Sequence, residues 1–307
     1  MPERELIFPL VPTRRSARLD VAGLTSRRRG SGSEQAGSRP YNRGDAVRLI
    51  DWRASARLST ARASDEFVVR DRLADDAVRV LLAVDRSVSM MLFPAELPWL
   101  HKPDVVREAG RMILASATAA HALVGYAEHG PRGAALERPR RGSALAQQIE
   151  RRLADPVETS PAGSLERVLE LLTRSTPDVP PGTFVFVLSD FLRAPSQATW
   201  RRLLACGCDV IPIVIQDPLW EQSFPDVAGV TLPLVDPASG TLGLVRLRRG
   251  EVDARRTANE LRLRALKDAF SALGVDPVTL ASSDRVSIHA AFLSWARQRR
   301  AWTRRLR

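Results

Sequence analysis

The chain has 307 residues, 44% hydrophobic and only 6% aromatic, which allows one large domain, or one plus a smaller lobe, around a mainly aliphatic core. Its formal net charge is +11, and nearly all of its basic residues are arginine. Such a charge admits nucleic acid, anionic surfaces or acidic proteins as partners. The arginines, however, are scattered, with clusters at Arg27–Arg29, Arg138–Arg141, Arg246–Arg249 and Arg297–Arg307. They come without a nucleic-acid motif or stacking aromatics, so a solvated arginine-rich surface is the simpler reading, with the tail Arg297–Arg307 as the best place for weak phosphate contact.

Residues 1–77 are expected to form a β-rich N-terminal elaboration. Short β-like pieces fall around Ala17–Ala22, Val47–Trp52 and Glu66–Val69, and Ser26 to Arg43 reads as a loop broken by Gly30, Gly32, Gly37 and Pro40. Asp45, Arg48, Asp51, Arg53 and Arg57 alternate in sign around Ile50 and Trp52. Matched charges of this kind predict an ion-pair network that clamps the segment to the rest of the chain, with Trp52 as an anchor. The alternative is a recognition surface, for which Arg28, Arg29, Arg48 and Arg53 are the candidate partner or anion contacts. Gly30-Ser31-Gly32 lacks the Gly-Lys-Ser/Thr ending of a nucleotide loop.

Residues 78–217 alternate strands and helices. Val78 to Val84 and Thr183 to Ser189 are near-continuous apolar runs, as strands buried on both faces require. Val105, Val106, Ala109, Met112, Ile113 and Ser116 recur at helical spacing. Leu123–Ala127 and Ala134–Glu137 read as short strands, Ala144–Leu153, Leu165–Leu172 and Gln197–Ala205 as helices, and Val210–Ile215 as a strand. The alternation predicts an α/β fold with a mainly parallel sheet flanked by helices. Cys206 and Cys208 cannot build a zinc site alone and read as packing residues. Residues 218–307 depart from the rhythm: a hairpin from Gly229–Val235 and Leu242–Leu247, a helix over Thr257–Leu273, a last strand in Val275–Leu280 and a closing helix over Val286–Trp302. This part is expected to complete the same unit.

The chemistry concentrates after the first apolar run, in Asp85-Arg86-Ser87-Val88-Ser89. One carboxylate and two hydroxyls at alternate positions offer hard oxygens, which suit Mg²⁺ or Mn²⁺. They lie where open α/β sheets bind ligands, beyond the carboxyl end of a strand. Asp190 ends the second run and would project from the same rim. Between them, Ser164 in Pro161-Ala162-Gly163-Ser164 would either cap a helix or supply a third hydroxyl, with Thr159 as its rival.

This set resembles the metal-ion-dependent adhesion site of von Willebrand factor A-like domains, in which an Asp-x-Ser-x-Ser loop, a Thr and a second Asp surround a divalent ion. Ser164 would stand for the usual threonine. Gly44-Asp45-Ala46-Val47-Arg48-Leu49-Ile50-Asp51-Trp52, followed by that loop and later by Ser189-Asp190-Phe191, Asp217-Pro218 with Glu221, and Asp236-Pro237 with Ser239-Gly240, resembles the signature of domain-of-unknown-function family 58. The resemblance runs from about Arg14 to about Leu280. It implies a von Willebrand factor A-like (Rossmann-like) fold, a metal-dependent protein-interaction module and a partnership with a MoxR-type AAA+ ATPase in chaperone-like assembly or remodelling.

Two other readings stay open: a metal-dependent phosphoesterase or nuclease built on Asp85 and Asp190, and an arginine-rich binder of nucleic acid or anionic surfaces. No nucleophile elbow or His-Glu-x-x-His helix is present, so no catalytic residue is assigned. Without a run of about 18 apolar residues or a leader-like start, the protein is expected to be cytoplasmic.

Overall fold

A computed structural model describes residues 5–12, 21–22, 25–26, 35–40, 50–62, 67–72, 77–91, 99–131, 133–154, 163–175, 177–236 and 241–304. Backbone contacts divide the chain into two units, Ala17–Val78 on the one hand and Met1–Ser16 with Arg79–Arg307 on the other.

The smaller unit contains the hairpin β1 (Val21–Ala22) and β2 (Thr25–Ser26), then β3 (Gln35–Pro40), helix α1 (Trp52–Arg62) and β4 (Val68–Arg72). β3 and β4 pair antiparallel, with an irregularity between Gln35 and Gly37. Within the expected loop over 26–43 this corrects Gln35–Pro40: Gly37 and Pro40 sit in a strand because a partner supplies the ladder, not because of their own propensity. Of the expected β-like piece Val47–Trp52, residues 47–49 lie outside the described residues and Ile50 forms a single β-bridge, while Trp52 instead opens a helix. Asp51 sets that start: its Oδ1 accepts the backbone N–H groups of Arg53 and Ala54, both at 3.1 Å, as an N-cap carboxylate does. Ser55 ties α1 to β4 by donating to the Asp51 carbonyl at 2.7 Å and accepting the Val68 N–H at 2.9 Å. Trp52 is 60% exposed and meets Phe67 edge-on, so it is not a buried anchor.

The larger unit is built on a six-stranded sheet. In chain order its members are β5 (Arg79–Val84), α2 (Lys102–Ala119), β6 (Leu123–Gly130), β7 (Gly133–Arg140), α3 (Ser143–Ala154), α4 (Ser164–Arg174), β8 (Phe184–Ser189), α5 (Gln197–Ala205) and β9 (Asp209–Ile215). After them come a hairpin of β10 (Thr231–Val235) and β11 (Leu242–Arg246), α6 (Arg249–Leu273), β12 (Val278–Leu280) and α7 (Arg285–Arg304). The sheet order is β12-β9-β8-β5-β6-β7, parallel throughout except for β7, which runs antiparallel at the edge. Counted within the sheet this is the doubly wound order, reversing direction between β5 and β8. It is the α/β, von Willebrand factor A-like fold expected from the motifs. α6 starts at Arg249, eight residues before the expected Thr257.

Both sheet faces are covered, which is why the central strands are apolar without a break from Val80 to Val84 and from Phe184 to Leu188. Leu81, Ala83, Val185 and Val187 pack with Leu165, Val168, Leu169 and Leu172 of α4, Trp200 and Leu203 of α5, and Phe270 and Leu273 of α6. On the alternate positions, Phe186 meets Phe8 and Trp295 at ring separations of 6.3 and 6.2 Å, and Phe8 stacks on Phe292 at 4.3 Å. Each such side chain contributes about 1.5–3 kcal/mol by leaving water. α7 is pinned by Arg299, which is buried and bonds both oxygens of Asp209 (3.0 and 3.2 Å), Asp276 (3.2 Å) and the Val11 carbonyl (3.1 Å). Within the C-terminal arginine cluster Arg299 therefore serves packing, which corrects its expected part in phosphate contact. Cys208 is buried and Cys206 half-buried; both are free thiols, and burial pushes Cys208 up to about 12.

Candidate metal centre

β5 and β8 are adjacent and in register from Val80↔Phe184 to Val84↔Leu188. The Asp85 N–H continues the ladder by donating to the Leu188 carbonyl at 3.0 Å. This last rung brings two chemistry-bearing loops together at the switch point of the sheet. Asp85 and Asp190 are 5% and 1% exposed.

Among the described residues, the side-chain oxygens of Asp85 meet only neutral donors. Its Oδ1 accepts the Ser87 N–H and the Ser164 hydroxyl, both at 2.9 Å, and its Oδ2 accepts the Ser189 hydroxyl at 2.7 Å. Burial, first, and the charge of Asp190, second, push its carboxyl above the ordinary range, against the pull of these hydrogen bonds. Ser164 is fully buried, and its oxygen also accepts the Arg86 N–H at 3.0 Å. It is not the helix cap: that position is Gly163, whose φ of +92° is a left-handed backbone that glycine adopts freely. The Ser87 and Ser89 hydroxyls pair with each other at 3.1 Å across the short 3₁₀ turn Val88–Met91.

Asp190 is held differently. Its Oδ1 accepts the Leu192 N–H at 3.0 Å, and its Oδ2 accepts the Lys102 ammonium at 2.8 Å. Lys102, the first residue of α2, also donates to the Ser89 carbonyl at 3.1 Å and to Glu221 Oε1. Burial would lower this ammonium, but Asp190 and Glu221 outweigh it and raise it. Burial raises Glu221 despite Lys102 beside it. Phe191, next to Asp190, has φ +51°, a strained conformation for a non-glycine residue. Its ring is locked against Trp200 and Phe270, with centroids 6.1 and 5.5 Å away.

Of the sequence candidates, the structure brings Asp85, Ser87, Ser89, Ser164 and Asp190 to one rim. Thr159 lies outside the described residues, as do Arg28, Arg29 and Arg48. Arg53 belongs to the other unit, exposed on the first turn of α1. Ser189, Lys102 and Glu221 were not expected at the site. Ser189 stands in the quoted Ser-Asp-Phe motif and Glu221 in the quoted Asp-Pro match, so each had a signal. Lys102 had one of another kind: it and Lys267 are the only lysines among 46 Lys and Arg residues.

A divalent ion fits this donor set chemically. Carboxylate and hydroxyl oxygens are hard ligands. A carboxylate offers about four lone-pair sites, of which Asp85 uses three in the bonds above. Charge is the scarce element, because among the described residues no three His, Cys, Asp or Glu side chains are grouped so as to hold an ion. Among those residues, too, no helix is long and apolar enough to cross a membrane.

Fold and site together define a doubly wound α/β protein with a hydroxyl–carboxylate cluster at its switch point. The chain belongs to the family described as protein of unknown function DUF58, whose model matches residues 37–265. Uncharacterized proteins of Mycobacterium bovis and Mycobacterium tuberculosis are 30% identical over 218 residues, or 69% of this chain and 63% of theirs, so the match spans less than two thirds of those relatives. Similar solved structures include the conserved hypothetical protein BatB from Bacteroides thetaiotaomicron (17% identity, 72% of this chain and 100% of that one, TM-score 0.42). Others are the pilus adhesin SpaC from Lactobacillus rhamnosus GG (14%, 72% and 30%, 0.44) and the mussel byssus proximal thread matrix protein 1, with a zinc-occupied MIDAS motif (17%, 46% and 38%, 0.33).

Proposed function

We propose that this chain is a metal-dependent protein-interaction module. Asp85, Ser87, Ser89 and Ser164 would hold Mg²⁺ or Mn²⁺, with Asp190 completing the protein side directly or through water. The observation that carries the reading is Asp85 itself, a buried carboxylate at the switch point whose hydrogen-bond donors among the described residues are all neutral. A charge left in that state gains most from a cation. Hydroxyls supply coordination without charge, so a bound ion would remain electropositive and offer a position to an Asp or Glu carboxylate of a partner protein. The roles of the chain's own groups follow. Ser164 and Ser189 orient Asp85, while the Arg86 guanidinium fixes the loop by donating to Glu128 and the Tyr126 hydroxyl, both at 2.7 Å.

Family membership supports a MoxR-type AAA+ ATPase as the partner, in chaperone-like assembly or remodelling. The test is calorimetric titration of Mg²⁺ and Mn²⁺ into chelator-treated protein, with Asp85→Ala as control, followed by capture of the ATPase with and without chelator. Saturable binding that Asp85→Ala abolishes, with capture that needs the ion, is the expected result. Capture indifferent to both chelator and Asp85→Ala would reject the mechanism and move attention to the arginine-rich surface.

A further inference from the structure

The buried ammonium of Lys102 already does part of what a metal ion would do at this rim. Its bonds to the Ser89 carbonyl, Asp190 Oδ2 and Glu221 Oε1 use all the donors an ammonium has. Two of these oxygens come from the candidate metal loops. The arrangement is built in, because Glu221 is itself fixed. Its Oε2 accepts the Asp217 N–H at 2.8 Å, and its own N–H returns to the Asp217 carbonyl at 3.0 Å. Asp217 in turn accepts the Trp99 indole N–H at 2.8 Å, and Arg262 donates to the Glu221 carbonyl.

Residue choice points the same way. The chain uses arginine almost everywhere, and Lys267, its other lysine, is exposed on α6. Guanidinium is a broad planar fork, whereas ammonium is a compact point charge able to sit among converging oxygens.

We propose that Lys102 is a resident counter-cation that competes with the divalent ion for Asp190, with Glu221 as the carboxylate that keeps the ammonium paired when Asp190 is released. The inference rests on the reading of the Asp85 cluster as an ion site. Without an ion, Lys102 relieves the repulsion between Asp85 and Asp190. With one, Asp190 turns toward the ion, and Lys102 keeps Glu221 and the Ser89 carbonyl, so that no buried charge is left alone. Ion uptake by the free chain is then weak, and a partner carboxylate that adds a ligand tips the exchange.

The test pairs a variant with a spectroscopic measurement on the unaltered protein. Lys102→Met combined with Glu221→Gln removes one positive and one negative charge, so the net charge of the rim is unchanged while Asp190 is freed. Mn²⁺ titrated by calorimetry should bind this double variant about tenfold more tightly than the wild type, and adding Asp85→Ala should abolish the binding in both backgrounds. Equal or weaker Mn²⁺ binding by the double variant, still lost with Asp85→Ala, would overturn the role of Lys102 and leave the ion site standing. Failure of both proteins to bind Mn²⁺ would overturn the ion site and this inference with it.

With two lysines in the chain, selective ¹³C labelling at lysine Cε gives two assignable signals. The Lys102 signal should move saturably with Mg²⁺ while that of Lys267 stays still. A Lys102 signal unmoved through a saturating titration would overturn the competition without any variant.

Discussion

Asp85 and Asp190 leave neighbouring strands at the same end of the sheet, and both are buried, yet the protein compensates them by different means. Asp85 receives a backbone N–H and two hydroxyls. Asp190 receives a backbone N–H and an ammonium that is itself buried and shared with Glu221. Both carboxylates are well bonded, but among the described residues only Asp190 of the two faces an opposite charge. Dipoles satisfy the geometry of a buried anion without cancelling its charge, and so burial still prevails at Asp85. One half of the rim is thus complete as it stands, and the other lacks a positive charge. That asymmetry, more than the count of oxygens, marks where a cation belongs.

The largest expected effect breaks the complete half. Lys102→Met alone leaves Asp190 and Glu221 buried beside an apolar group, which should destabilise the protein by about 3–5 kcal/mol. Urea denaturation would show this as a lower midpoint at unchanged slope. A loss under about 1 kcal/mol, the range of exposed pairs, would mean that water reaches Asp190 and that the two halves do not differ in dielectric.

The two halves also differed in how far the sequence disclosed them. Asp85, Ser87 and Ser89 are contiguous, and Asp190 ends an apolar run whose strand assignment follows from its length and composition, so local pattern suffices. Ser164 was legible as a hydroxyl, but that Gly163, not Ser164, takes the cap position was visible only in the structure. Lys102 reaches Asp190 and Glu221 across 88 and 119 residues of sequence. No periodicity records a contact of that range; only the scarcity of lysine hinted at it. The fold divides in the same way. Strands buried on both faces were plain, because Val80 to Val84 and Phe184 to Leu188 are apolar without a break. In the smaller unit, β3 was hidden because Gly37 and Pro40 oppose strand propensity and pairing with β4 overrides them. Helix α1 was masked by a charge alternation that imitates a strand, while its real start signal was the single cap Asp51.

A smaller effect sharpens the incomplete half. Asp85→Asn keeps an acceptor for Ser87 and Ser164, and the Ser189 hydroxyl can turn from donor to acceptor toward the new amide. Because the folded carboxyl lies above its unfolded value of 3.8, the folded state binds more protons than the unfolded state through that window, and wild-type stability falls as pH rises across it. The amide that Asp85→Asn introduces does not titrate. In chelator at pH 7 the variant is therefore expected to be at least as stable as the wild type, and its advantage should shrink as pH is lowered toward 3.8. Thermal melts across that range would check the sign. Mn²⁺ should reverse the order at pH 7, since only the wild type gains from it.

The smallest effect supplies the control for burial. Asp284, before α7, has donors of the same kind as Asp85: the Ser287 N–H at 2.8 Å and the Ser287 hydroxyl at 2.7 Å, both to Oδ2. It is exposed to water, and these bonds, the hydroxyl first and the N–H second, draw its carboxyl below the usual value rather than above it. The linkage therefore has the opposite sign. A lowered folded value gives stability that is present above 3.8 and is lost as pH falls through the folded value. Asp284→Ala should lower the melting temperature slightly at pH 7, and the gap to wild type should close in acid, the reverse of the trend for Asp85→Asn. Matching pH trends for the two variants would show that hydrogen bonding, not burial, sets both carboxylates. Opposite trends would leave burial as the reason that Asp85 alone is short of a cation.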